Sequence, residues 1–243
     1  MNIKIFDTNE ELDQVGGNII ASLVQTKPHA VLGLATGSTP IGIYEQLIFL
    51  FKKGLLDFSQ VTAFNLDEYV GLPEGHPETY RTFMNKRLYS HININMNRTH
   101  IPNGDAPDLE AECRRYDSML AGGTQIDLQL LGLGHNGHIG FNEPDHALSS
   151  GTHVVDLKEE TRKANARFFS SIDEVPNQAI TMGVGSILKA KMIMLVVRGE
   201  SKAEIAHQAL TGPITTELPA SLLQTHPNVV VLLDKGAGKY FYE

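Results

Sequence analysis

Two rhythms of apolar residues alternate along the chain. One is the short, mostly apolar run: Ile3, Ile5 and Phe6 near the start, then residues 30–34, 126–133, 190–199 and 229–233. Residues 61–72 add another such run that carries on into Asp67 and Glu68. The other rhythm is helical spacing, clearest over residues 8–26, where Leu12, Val15, Ile19, Ile20, Leu23 and Val24 share one face. Mostly apolar runs of this length predict strands covered on both sides, and helices between them predict parallel pairing. The expected fold class is α/β, a three-layer α/β/α sandwich around a mostly parallel sheet, formed as a single domain over residues 1–243.

Smaller signals place the remaining elements. Pro40 suits a first helical position with Thr39 as its N-cap. A helix is expected over 77–90. Another is opened by Asp105 and Pro107, with Leu109, Cys113, Tyr116 and Leu120 as its apolar stripe. Ser201 and Glu204 have capping-box spacing, which places Lys202 in a first helical turn, and a short helix falls near 219–225. From 145 to 180 the pattern weakens into a polar segment containing "ETRKANARFF".

Composition narrows the classes. A net charge of −8 disfavours a nucleic-acid partner, which calls for a basic face. No segment approaches membrane-spanning length and no apolar leader opens the chain, so neither a membrane partner nor export is expected. Cys113 is the single cysteine, which fits a reducing, cytoplasmic setting.

Chemistry-bearing residues gather where the apolar runs end. The run at 126–133 empties into "GHNGHIGFNEP", a glycine-punctuated loop carrying His135, Asn136, His138, Asn142 and Glu143. Open α/β sheets keep their ligands beyond the carboxyl ends of such strands. "GLGHNG" matches G-x-G-x-x-G, with Asp156 near the offset of a ribose-binding acid, but no amphipathic helix follows and Pro144 would break one. No nicotinamide cofactor is expected. His135, His138, Asp145 and His146 lack the i, i+4 pairing of common zinc motifs, so no metal is expected either. His138 with Glu143 remains as an acid/base pair.

The loop "TGSTP" supplies Thr36, Gly37, Ser38 and Thr39 ahead of a helix N-terminus. It reads equally as a phosphate cradle or an ordinary capped turn. Lys202, just past another strand end, and Arg167, in "ANARFF", are the cations available to a phosphate there. Asp67 reads either as a general base or as a turn-forming aspartate. His29, His76, His91, His100, His207 and His226 carry no motif, and Cys113 reads as packing.

Together "LGLATGSTP", "FNLDEYVGL", "LLGLGHNGHIGFNEP", "TRKANARFF" and the Lys202 loop resemble the glucosamine-6-phosphate deaminase family, in its order and spacing over nearly the whole chain. The resemblance implies a Rossmann-like sandwich and conversion of glucosamine 6-phosphate and water to fructose 6-phosphate and ammonia, without metal or organic cofactor. It implies that Asp67 moves the C2 proton to C1. It also implies that His138, oriented by Glu143 and Asn136, opens the sugar ring. Thr36, Gly37, Ser38, Thr39, Arg167 and Lys202 would hold the phosphate, and the segment at about 157–180 would be a mobile lid.

Two departures stand out. Familiar members carry Asp where this chain has Asn136, and an amide orients an imidazole without stabilising it by charge. Allosteric hexameric members bind an N-acetylated activator through an Arg and a Lys, at positions held here by His153 and Val155, and they continue beyond "GKYFYE". Little or no such activation is expected, and a monomer or small homo-oligomer. The alternatives are a 6-phosphogluconolactonase-like hydrolase, which leaves Asp67 without work, and a sugar-phosphate sensor domain of a transcription regulator. The latter calls for an attached DNA-binding module.

Overall fold

The computed structural model describes residues 1–241; the end of "GKYFYE" lies outside them. Its strands are β1 (Asn2–Phe6), β2 (Val31–Leu34), β3 (Thr62–Asn65), β4 (Asp67–Tyr69), β5 (Thr99–His100), β6 (Leu128–Gly132), β7 (His153–Asp156), β8 (Gln178–Thr181), β9 (Ile193–Val197) and β10 (Val229–Asp234). The helices are α1 (Asn9–Thr26), α2 (Ile41–Lys52), α3 (Tyr80–Arg87), α4 (Leu109–Ala121), α5 (Glu159–Asn165), α6 (Val184–Leu188) and α7 (Ala203–Thr211).

Seven strands form a parallel sheet in the order β1-β10-β9-β6-β2-β3-β5. Every residue of β9 is buried, which an extended strand achieves only when helices cover both faces of its sheet. Leu12 and Ile20 of α1 and Ile43, Tyr44 and Leu47 of α2 belong to the same core as Leu130, Leu195 and Val231 of the strands. The expected parallel α/β sandwich is therefore present. Among the described residues no helix is long and apolar enough to cross a membrane.

The strand order fixes where a ligand can enter. From β2 the chain steps outward to β3 and β5, then returns to lay β6 on the other side of β2 and continues to β9 and β10. The loops that leave β2 and β6 therefore diverge at a topological switch point, where a crevice opens beyond the carboxyl ends of the strands.

A second sheet, antiparallel in the order β4-β8-β7, stands over that edge. The continuous strand expected through residues 61–72 is thus two strands in two sheets. The division falls at Leu66, whose amide still bonds Leu34 of the main sheet (3.2 Å) while its carbonyl accepts the Met182 amide (2.7 Å). Past that stitch, Asp67 pairs with Thr181 of β8.

Other boundaries shift by a turn or less. Pro40, with helical dihedrals, occupies the N-cap position of α2, and no side chain caps the helix, so Thr39 is not a cap. Residues Glu200–Lys202 form a 3-10 turn, and α7 starts at Ala203 with Lys202 at its N-cap; the Ser201–Glu204 capping box does not form. A 3-10 turn has tighter geometry than the α-turn that a capping box requires. The weakly patterned segment contains β7, α5 and β8, with 3-10 turns at Ala166–Phe168 and Ile172–Glu174.

Candidate active site

A cavity of about 590 Å³ occupies the crevice, a size typical of small-molecule sites. Thr36, Gly37, Ser38, Thr39, Asp67, Asn136, His138, Arg167 and Lys202 all line it. Glu143 stands directly behind, bonded to residues that do.

One end gathers two cations and a helix N-terminus. The loop after β2 turns through Gly37 at φ 86°, a left-handed conformation that glycine adopts without strain. It then delivers the chain to α2, whose first amides have no intrahelical partner and whose dipole is positive there. Lys202 reaches in from the turn before α7, its ammonium donating to the Leu133 carbonyl. Arg167 lies across the cavity with Nη2 3.4 Å from Ser38 Oγ and its guanidinium 4.7 Å from the Phe168 ring centre. Burial, then the nearby Arg167, lowers the proton affinity of Lys202. Burial, then Lys202, His138 and Arg167, lowers that of His135 on the same wall. Crowded cations of this kind are relieved by an anion between them.

The other end carries the acid/base groups. Asp67 is 6% exposed, and burial followed by the adjacent Glu68 charge pushes its carboxyl up to about 8. Glu68 itself turns away to accept the amides of Tyr69 (2.9 Å), Tyr80 (2.8 Å) and Arg81 (3.0 Å), tying β4 to the start of α3. Tyr69, Tyr80, Phe141 and Phe169 wall this end with aromatic rings, Tyr80 stacked parallel to Phe141 at 6.2 Å.

His138 is held by a chain of defined direction. Asn136 Nδ2 donates to Glu143 Oε2 (2.6 Å), and Asn136 Oδ1 lies 2.7 Å from His138 Nδ1. An ionised carboxylate only accepts, so the amide must present its NH₂ to Glu143 and its oxygen to the imidazole. The proton of the neutral ring is thereby fixed on Nδ1, leaving the Nε2 lone pair free. Glu143 itself lies 3.4 Å from Nδ1, so it reaches the ring chiefly through Asn136. Burial opposes the charge of Glu143, but hydrogen bonds and the nearby charge of His138, with further bonds from Thr161 and Asn136, hold it down at about 2. The ring lies against Gly134, where an added Cβ would sit 2.3 Å from His138 Cε1 and 2.4 Å from both ring nitrogens.

Residues weighed as metal ligands do not converge. His146 is fully exposed and pairs with Glu217 at the surface, away from the cavity that His135 and His138 line. Among the described residues no group of three or more His, Cys, Asp or Glu side chains has metal-binding geometry. Asp156 is exposed, and Cys113 is buried with its thiol pushed up by that burial, consistent with packing. Thr161, which donates to Glu143 Oε1 (2.5 Å), opens the "TRKANARFF" motif, but the sequence assigned it no role. The aromatic wall was assigned none either, because its rings come from four separate elements.

A family model described as glucosamine-6-phosphate isomerases/6-phosphogluconolactonase matches residues 9–232. The chain is 54% identical over 239 residues to a glucosamine-6-phosphate deaminase of Clostridium perfringens strain 13, covering 98% of this chain and 99% of that protein. It is 50% identical over 237 residues to one from Thermoanaerobacter pseudethanolicus, covering 98% and 94%. Among solved structures, a monomeric glucosamine-6-phosphate deaminase of the NagB superfamily superposes with a TM-score of 0.96 at 50% identity, over 98% of this chain and 99% of that one. A 6-phosphogluconolactonase from Trypanosoma cruzi, at 18% identity and a TM-score of 0.77 over 98% and 96%, shares the fold. With its match spanning nearly the whole sandwich, this chain belongs to the glucosamine-6-phosphate isomerase/6-phosphogluconolactonase family.

Proposed function

We propose that the protein is a glucosamine-6-phosphate deaminase, an aldose-ketose isomerising deaminase that converts glucosamine 6-phosphate and water to fructose 6-phosphate and ammonia. One observation carries the reading: a buried carboxylate of raised proton affinity, Asp67, shares a single cavity with a histidine whose Nε2 is free and with an anion cradle.

The chemistry follows from those groups. The phosphate is held by Thr36, Gly37, Ser38, Thr39, Arg167 and Lys202, which sets the sugar carbons at the other end of the cavity. His138 Nε2 takes the proton of the O1 hydroxyl and returns it to O5 as the C1–O5 bond breaks, leaving an open-chain aldehyde. The C2–H bond is now acidic. Asp67 removes that proton, and the electron pair becomes the C1–C2 double bond of an enolamine as the carbonyl oxygen takes a proton from the C2 ammonium, which becomes a neutral amine. Asp67 then delivers its proton to C1, which leaves an iminium at C2. Water adds at C2, ammonia departs, and the ketone remains. A substrate ammonium beside Asp67 favours the carboxylate form that this cycle needs. The lactonase reading gives the buried carboxylate no task.

We further infer that the segment 157–180 serves as a lid that shields the enol from water. We also infer that the enzyme works in the cytoplasm as a monomer, without nucleic-acid or membrane partners and with little activation by N-acetylglucosamine 6-phosphate. The monomeric state of the 50% identical relative supports the first point about assembly. His153 and Val155 at the activator positions support the last. Light scattering, and rate measurements with and without that compound, test both.

The deciding experiment is ammonia release from glucosamine 6-phosphate by purified protein and by Asp67→Asn. Release by the wild type, reduced about 10³-fold or more in the variant, is the expected result for loss of a carbon-acid base. No release, with hydrolysis of 6-phosphogluconolactone instead, overturns it.

A further inference from the structure

Every side chain that fixes His138 depends in turn on Glu143, and Glu143 is not held by its own loop alone. Its Oε2 is engaged by Asn136. Its Oε1 is engaged by Thr161 Oγ1 at 2.5 Å, and both residues are buried. Thr161 belongs to α5, a short helix from the opposite wall. A threonine inside a helix ordinarily turns its hydroxyl back to a carbonyl of the preceding turn. Here the hydroxyl is spent outside the helix, and its β-branched side chain has few rotamers in which to do otherwise.

The same stretch touches the site at two further points. At its start, Lys158 Nζ donates to the Pro144 carbonyl (2.6 Å), next to Glu143. Beyond its end, Arg167 meets Ser38 of the anion cradle. Residues 158–167 thus bridge the loop that carries the proton relay and the loop that receives the phosphate.

We propose that Thr161 is a positioning residue: by anchoring one oxygen of Glu143 it fixes the other for Asn136, so the Nδ1–H form of His138 is secured only when α5 is docked. Resting on the deaminase reading, this assigns the segment a role beyond covering the site. Docking of the stretch and completion of the relay are thus one event, joined through the Thr161 hydroxyl.

The test compares Thr161→Val, Thr161→Ser and Lys158→Ala. Valine keeps the shape of threonine and removes the hydroxyl. It is expected to lower kcat about tenfold or more, the worth of one buried hydrogen bond to a charged group, with KM little changed. Serine is expected to restore most of the rate, and Lys158→Ala, which loosens the stretch but leaves the Thr161 hydroxyl in place, to lower kcat less than valine does. The ¹⁵N spectrum of the His138 ring, read without turnover, is expected to show the Nδ1–H tautomer in the wild type and a tautomer mixture in the valine variant. Wild-type kcat together with an unchanged His138 spectrum in the valine variant overturns the proposal. So does an equal loss in Lys158→Ala, which would mark a mere tether. Should valine unfold the chain, Thr161→Ala carries the same comparison. A wild type that releases no ammonia sinks the deaminase reading instead, and the spectra still decide whether Thr161 sets the tautomer.

Discussion

Asp67 and Glu143 are each 6% exposed, yet their carboxyls are driven in opposite directions. Asp67 is pushed up to about 8, whereas Glu143 is held down at about 2. Equal burial cannot explain the split; the partners do. Asp67 accepts no hydrogen bond among the described residues and lies beside a second carboxylate, while Glu143 accepts from Asn136 and Thr161 and faces an imidazole. The cavity therefore exposes a carboxylate able to take a proton, while the one behind its wall stays charged beside Asn136. Environments that separate two carboxyls in this way assign their tasks.

The largest break in this contrast is Glu143→Gln. Glutamine brings an NH₂ where two donors already point, so Asn136 turns over and the imidazole proton moves to Nε2. A kcat loss on the order of 10³-fold is expected, as for other histidines forced into the wrong tautomer. Gly134→Ala leaves both carboxylates intact but pushes the ring off its seat. A displacement near 1 Å is expected to cost about 10²-fold in kcat, with the fold kept, as circular dichroism would show. Smaller still is the effect of pH. The acid limb of kcat/KM is expected near pH 8, where Asp67 ionises in the free enzyme, and Glu68→Gln is expected to move that limb to lower pH.

Stability carries the same signature. A carboxyl that ionises at about 8 when folded and at about 4 when unfolded makes the folded state bind the extra proton between those values, so stability falls as pH rises through the window. Asp67→Asn removes that fall. Denaturant midpoints are expected to show the variant gaining on the wild type from about pH 4 to 8 and levelling off above. A flat difference across the window would show that Asp67 has an ordinary carboxyl in the native state.

The parallel sheet and the two loops at its switch point were legible because runs such as 126–133 and 190–199 are predominantly apolar over the length of a strand. The anion cradle, His138 and Glu143 followed from where those runs stop. The second sheet was hidden. Its strand β7 is only half-buried, β4 has three residues that look like the tail of β3, and its pairing is set by the Leu66 stitch between distant segments. The capping residues misled for a local reason: Ser201 and Glu204 have the right spacing, but a 3-10 turn takes their place. Thr161 was beyond reach, since a single threonine in a polar helix acquires its meaning only from the carboxylate opposite.

The rung between Asp156 and Gln178 closes β7 onto β8, and the Leu157 amide bonds Asn177 just beyond it (2.8 Å). The intervening stretch therefore leaves the sheet and returns to it at one place, like a handle fixed by both ends to a single bracket. Rebuilding that handle, in length or sequence, leaves Asp67 and the Leu66 stitch untouched, because both lie on the far side of β8. Length can thus be changed within that handle without moving Asp67, provided that Thr161 and Arg167 keep their places against Glu143 and Ser38.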